Sequence, residues 1–426
     1  MRPASLGLWA LASVTAACGP APVPSAQVLL FIDTDAPLPA AGLGPDELTL
    51  FDRLDVAVYA GDEVAPCEGC VREFSLKADR PRELSLGVAV SRDTAVARVR
   101  IYAQRNLDRN GQPDEPSSLV AWVRLPRPAP EEVREVHVTL RVADLARPRG
   151  SRFAPLEPAV ESPSPPLARW PEARRVPCAL PVGPEEACIP GGVVWMGDAQ
   201  RTPGPAGGLA PRLVAMSPFV LDREEVTVRA FRQSGLPTDP DAGRAGSGAC
   251  TFSATTGPDE DHPVNCVAWA TAARFCEARG KQLPSEAQLE YVEGGLRGAR
   301  YPWGEDDPRC AGVTFGRDVD IGPCRTLGRT SPVGTSPQDV LDVPGATLTD
   351  LAANVAEWSR EAWRGADDAC NMPGLFRDPE CPVVAASVHA TRGGTFSLAA
   401  LAARSYVRQY SSVAADTIGF RCARRR

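Results

Sequence analysis

Twelve cysteines spread between residues 67 and 422 constrain this chain more than any other feature. They stand at 67, 70, 178, 188, 250, 266, 276, 310, 324, 370, 381 and 422, and a thirteenth, Cys18, lies near the start. An even set in an exported chain reads as a disulfide framework. Local spacing pairs Cys67–Cys70, Cys178–Cys188, Cys250–Cys266, Cys310–Cys324 and Cys370–Cys381, and leaves Cys276 and Cys422 over. A metal framework has less support. Only Cys67 and Cys70 have tight ligand spacing, and the chain holds just three histidines, His137, His262 and His389. The case for export rests on the opening MRPASLGLWALASVTAACGP. Arg2 precedes an apolar run from Leu6 to Val14, and the small residues Thr15, Ala16 and Ala17 lead into Cys18. Residues 1–17 thus read as a secretory signal, too short to span a membrane.

The same opening resembles a bacterial lipoprotein signal, in which Cys18 is the lipidated first residue of the mature chain. The other reading is ordinary cleavage that leaves Cys18 unmodified. Residues 18–26 read as a tether. The resemblance implies a membrane partner through a lipid anchor. Gly19 lacks the Asp that retains such proteins in the inner membrane, so the outer membrane is expected, facing the periplasm or the cell surface. With 426 residues the chain is long enough for two domains. Its net charge of −7 is spread along the sequence. No long basic stripe occurs, so nucleic acid is not an expected partner, and the RCARRR end reads as a solvated tail.

Residues 27–145 predict an all-β sandwich. VLLFI at 28–32 and DVAVY at 55–59 are strand-like, and Val136, Val138, Leu140 and Val142 alternate with His137, Thr139 and Arg141, burying one face. His137 is then expected to face solvent. Within this region Asn106, Asp108 and Asn110 precede Gly111 with the spacing of a calcium loop, but Ser117 stands where the bidentate Glu belongs. A polar hairpin turn explains the segment equally well. Residues 146–177 are proline-dense and predict a semi-rigid spacer that holds the second domain away from the first.

The second domain, 178–426, carries an ordered series of landmarks. CIPGGVVWMGD begins at Cys188, FVLDREEVTV at Phe219 and HPVNCVAW at His262. Trp269, Ala272, Phe275 and Cys276 follow at helical spacing, with Gly280 as C-cap. LPSEAQLEY begins at Leu283, with Ser285 and Gln288 in a capping-box pattern. YPWG begins at Tyr301, PVG at Pro332 and TDLAANVAEW at Thr349. The series ends in TRGGTFSLAALAARSYVRQYSSVAADTIGFRCA, from Thr391 to Ala423. Together these residues resemble the formylglycine-generating enzyme, or sulfatase-modifying factor, family. The resemblance implies an α+β fold, a variant of the C-type lectin fold with little regular secondary structure. It also implies a disulfide between Cys276 and Cys422.

Active members of that family oxidise a cysteine of a client sulfatase to formylglycine, with copper(I) held by two thiolates and oxygen as oxidant. Soft thiolates suit copper(I). The matching positions here are Ala402 and Val407, so copper is not an expected cofactor. No cysteine stands between Cys381 and Cys422 to replace them. The family pocket maps to Arg404, Ser405, Tyr406, His389 and Trp358. Ser405 has no base beside it and reads as structural, as does His262 in its HPV landmark. The resemblance also implies a calcium site formed by the backbone at Ala353 and Val355 and the carboxylate of Glu357. The expected function is a non-catalytic module that binds an envelope protein, peptide or glycan. The alternatives are a formylglycine-generating oxidase with a rearranged site and a structural envelope protein.

Overall fold

The computed structural model describes residues 26–425, except 62, 79–83, 91–94, 160–164, 201–207, 237–249, 254, 317–327 and 383–387. The signal, Cys18, most of the tether and Cys324 therefore lie outside the described residues. Between Gln27 and Leu140 seven strands form: β1 (Gln27–Thr34), β2 (Arg53–Ala60), β3 (Val71–Ser75), β4 (Leu84–Val88), β5 (Ala95–Tyr102), β6 (Leu119–Arg124) and β7 (Val133–Leu140). One sheet has the order β4-β1-β7 and the other β3-β2-β5-β6. The first pairs β1 antiparallel with β4 and parallel with β7, and the second is antiparallel throughout. Alternation sets the buried face. Val136, Val138 and Leu140 of β7 join Val28, Leu30 and Ile32 of β1 in one apolar core with Val56, Val99 and Ile101 of the other sheet.

His137 is not solvent-facing. Its ring stacks on Phe31 with centroids 4.8 Å apart, and its amide donates to Ala159 O at 2.8 Å. The 106–117 segment is a tight polar turn. Asp108 Oδ1 accepts the amides of Asn110 and Gln112, both at 2.8 Å, so this carboxylate is spent on the backbone.

The described residues of 146–177 pack against the first module and do not act as a spacer. Arg149 and Leu156 make parallel bridges to Ala121 and Val123 of β6, and Ala159 bridges His137 of β7. Trp170 and Ala173 pack into the core of the first module. Proline removes amide donors only at its own positions; Arg149 and Leu156 both donate to β6 (to Val120 O and Trp122 O) and accept from it (from the Trp122 and Arg124 amides).

The remaining chain forms β8 (Glu186–Ile189), β9 (Gly192–Met196), β10 (Arg212–Met216), β11 (Phe219–Asp222), α1 (Val228–Ser234), α2 (Trp269–Glu277), α3 (Glu286–Glu293), β12 (Val340–Val343), β13 (Ala346–Thr349), β14 (Ala356–Ala362), β15 (Leu375–Arg377), β16 (His389–Arg392), β17 (Arg408–Ser411), β18 (Ile418–Gly419) and β19 (Ala423–Arg424). The fold is α+β with small sheets. The sheet that positions the closing landmarks has the order β17-β16-β14-β18. Ser285 caps α3 in a reciprocal capping box with Gln288. Helix α2 stops at Glu277 with Ala278 as its cap, and Gly280 takes the left-handed turn two residues later.

Disulfides join Cys67–Cys70, Cys178–Cys188, Cys250–Cys266, Cys276–Cys422 and Cys370–Cys381. Cys310 is also disulfide-bonded. The Cys276–Cys422 bridge closes a separation of 146 residues and fastens α2 to the C-terminal segment.

The two modules share their core. Val193 and Trp195 of β9 and Leu213 and Ala215 of β10 pack with the first module's cluster. Trp195 meets Phe51 edge-on at 5.4 Å and donates from Nε1 to Leu50 O at 2.7 Å. Trp195→Ala is therefore expected to cost about 4 kcal/mol in denaturant unfolding and to weaken hydrogen-exchange protection in β2 and β5. Protection retained in those strands would show that the modules fold independently.

Candidate functional site

Three arginines organise the closing landmarks, and each is almost completely buried. Arg392, at the end of β16, donates from Nη2 to Glu290 Oε2 at 2.8 Å and from Nη1 to Ser405 O at 3.0 Å. Arg408, at the start of β17, forks Glu286 at 2.6 and 2.7 Å and lies over the Trp363 ring at 4.3 Å. Arg421 forks Glu357 from Nε at 2.7 and 2.9 Å, and its Nη2 donates to Thr349 O and Asp350 O at 3.0 and 2.9 Å. A guanidinium taken out of water needs such a paired carboxylate and carbonyl acceptors. The RGG, RSYVR and GFR motifs are thus held through Glu286, Glu290 and Glu357, and the first two come from α3.

The expected pocket residues separate into two groups. Trp358 is buried and donates from Nε1 to Val267 O at 2.9 Å. The His389 ring stacks on Trp269 at 3.8 Å and meets Trp358 edge-on at 6.5 Å. These two residues belong to the packing between β14, β16 and α2. Ser405 is buried as well, with Oγ donating to Ala299 O at 2.7 Å, so its hydroxyl is not poised as a nucleophile. Arg404 and Tyr406 are half-buried and in contact, with Nη1 donating to the Tyr406 hydroxyl at 3.2 Å. Arg404 also reaches Tyr301. Tyr301 stacks on the half-buried Trp303 at 4.8 Å, with planes 3° apart. His262 Nδ1 lies 2.8 Å from Thr330 Oγ1, and burial lowers its pKa, in keeping with a structural role.

Ala402 and Val407 are half-buried and offer no ligand atom. Every cysteine among the described residues is disulfide-bonded. The residues present do not fit copper(I). The calcium set fits no better. Glu357 is committed to Arg421 through both oxygens, and the Val355 amide faces Glu225 Oε1 at 3.2 Å. Ala353, Val355 and Glu357 therefore lack a disposable anionic donor. Among the described residues no cluster of three or more His, Cys, Asp or Glu side chains is arranged for a metal ion.

The scaffold is that of a disulfide-stapled domain of small sheets, closed by arginine forks around an RGG–RSY–GFR frame. Residues 175–426 match the sulfatase-modifying factor enzyme 1-like domain, and the chain belongs to that family. It is 30% identical over 289 residues to a formylglycine-generating enzyme of Thermomonospora curvata, covering 55% of this chain and 91% of that protein. It is also 30% identical over 320 residues to that of Streptomyces coelicolor, covering 62% and 96%. Among solved structures, PvdO from Pseudomonas aeruginosa superposes with a TM-score of 0.42 at 22% identity, covering 57% of this chain and 94% of that one.

Buried acids beside the frame make stability depend on pH. Asp339 is pushed up to about 8 by burial and by the Asp350 carboxylate, which outweigh the amides of Ala352 and Ala353. Glu361 is likewise pushed up to about 8 by burial and the Glu286 charge. Each folded-state pKa lies above the ordinary value, so the folded chain keeps protons that the unfolded chain releases. Their contribution is complete below the ordinary carboxyl range and is lost as pH rises towards 8. Glu286, held near 2 mainly by Arg408 against the cost of burial, acts in the opposite sense but only below its ordinary value of 4.5. The urea midpoint is expected to be lower at pH 8 than at pH 5, and a midpoint that rises over this interval would contradict the assignment.

Proposed function

We propose that this chain is an exported lipoprotein, anchored through Cys18, whose sulfatase-modifying-factor-like domain binds a protein, peptide or glycan of the cell envelope and does not generate formylglycine. The observation that carries the proposal is the loss of both copper thiols. Ala402 and Val407 stand in their places, and the described cysteines are all bridged. The frame that remains has a purpose without chemistry, because its arginines are consumed in fold-closing pairs. What it leaves at the surface is suited to recognition. The half-buried Trp303 ring, backed by the buried Tyr301 ring stacked on it, offers an aromatic face, and Arg404 with Tyr406 offers a cation and a hydroxyl beside it. Sugars and peptide backbones both bind such combinations.

The oxidase alternative draws its support from the family, since relatives that match are named formylglycine-generating enzymes. One assay separates the two readings. The purified chain is incubated with copper(I), oxygen and a cysteine-containing sulfatase peptide, and products are read by mass spectrometry. The binding-module reading expects no formylglycine above the protein-free control. Conversion of the peptide would establish an oxidase with a rearranged site.

A further inference from the structure

A cleft of about 580 Å³ lies where β12, the turn after α3 and residues 175–178 meet. Its wall takes in every residue from Val340 to Pro344. A cleft over the face of a strand meets alternate residues, so this consecutive run means that the cleft follows the edge of β12. Among the described residues β12 pairs with β13 alone. On β13 the Thr349 amide donates to Arg223 O and the Thr347 carbonyl accepts from Arg223 Nε, both at 3.0 Å, so these two residues point out of the ladder. Their register partners, Val340 and Asp342, point outward on the other side. The Val340 amide is taken up by Gln338 O at 3.0 Å. The Asp342 amide and carbonyl have no partner among the described residues.

Pro177, Pro190, Leu296 and Pro302 give the rest of the wall an apolar character, and four charged residues border it. Asp46, Arg297 and Asp342 are exposed, where water and salt screen them, and Asp342 also accepts the Thr347 hydroxyl at 2.6 Å. Arg175 is half-buried. Its Nη1 donates to the Tyr291 hydroxyl at 3.3 Å and to Leu296 O at 3.1 Å, and among the described residues no carboxylate pairs with it. Arg392, Arg408 and Arg421, by contrast, each hold a carboxylate. A charge partly withdrawn from water acts more strongly than exposed ones, so Arg175 sets the sign of what the cleft favours, and that sign is negative.

We propose that the open edge of β12 takes up an extended peptide of a partner protein as an added strand, with an acidic side chain of that peptide against Arg175 and its apolar side chains on the proline and leucine wall. In such an addition main-chain bonds supply affinity and alternate side chains supply selection. Trp303, Arg404 and Tyr406 do not line this cleft. The proposal is therefore separate from the recognition face described above, and it stands or fails independently of the formylglycine assay.

The test uses the full chain and three fluorescein-labelled hexapeptide pools. Each pool draws five positions from Val, Ile and Leu, and the sixth is Glu, Gln or Lys. Anisotropy is expected to show binding of the Glu pool, with the Gln pool weaker by about fivefold and the Lys pool weaker still. Hydrogen exchange in the 340–343 segment of the unaltered chain is expected to slow when the Glu pool is added. Asp342→Pro removes the outward amide, which an edge strand tolerates, and is expected to weaken binding about fivefold, the loss of one hydrogen bond. Asp342→Ala keeps that amide and is expected to bind at least as tightly as the unaltered chain. Failure of all three pools to bind would overturn the proposal, and so would equal binding of the three. If Asp342→Pro does not fold, the exchange measurement decides, and bound peptide that leaves 340–343 unprotected would place it somewhere other than the β12 edge.

Discussion

The buried fork between Arg421 and Glu357 is the interaction on which the second module most depends. Glu357 lies in β14 and Arg421 follows β18, 64 residues later. The same guanidinium is fully buried. It donates to Thr349 O and Asp350 O on one side and to Asp222 O and Arg223 O on the other. One side chain thus gathers β11, the end of β13, β14 and the C-terminal segment. The adjacent Cys422 then locks that segment to α2. Removing either charge would strand the other in a medium that cannot solvate it, which typically costs about 3–5 kcal/mol. Arg392 and Arg408 repeat the device at α3, so the most recognisable motifs of the chain coincide with its electrostatic closures.

On the proposed reading, that coincidence is how a family signature outlasts the chemistry it surrounds. Copper ligation needs two thiolates and nothing else in the frame can replace them. The arginines, by contrast, sit in buried pairs whose rupture typically costs about 3–5 kcal/mol. On the proposed reading, Ala402 and Val407 at the two thiol positions remove an activity at little cost to the fold. The RGG, RSY and GFR residues remain under the fold's own constraint. The first module reinforces this arrangement, because its core runs into β9 and β10 through Phe51 and Trp195.

Much of this was legible in the sequence, and the misses have physical causes. The disulfides between near neighbours follow from spacing, and the cap of α3 follows from Ser285 and Gln288, because both are local. The arginine forks are not local. Arg392 and Arg408 meet their carboxylates across 102 and 122 residues, and charged residues in a sequence read as surface until the fold shows otherwise. Residues 146–177 were misjudged for a related reason. Proline content reports stiffness and missing donors, but not whether Arg149 and Leu156 find β6. Trp358 and His389 stood near the family's pocket in sequence, yet stacking with Trp269 turns them into the core.

The claim that the frame serves the fold is tested most directly by the denaturant stability of Arg421→Lys. Lysine keeps the charge but cannot fork a carboxylate while donating to four carbonyls. The account predicts a loss of about 3 kcal/mol or more in unfolding free energy. An Arg421→Lys protein that unfolds at the midpoint of the parent would contradict it, and would return the GFR motif to some role other than closing the fold.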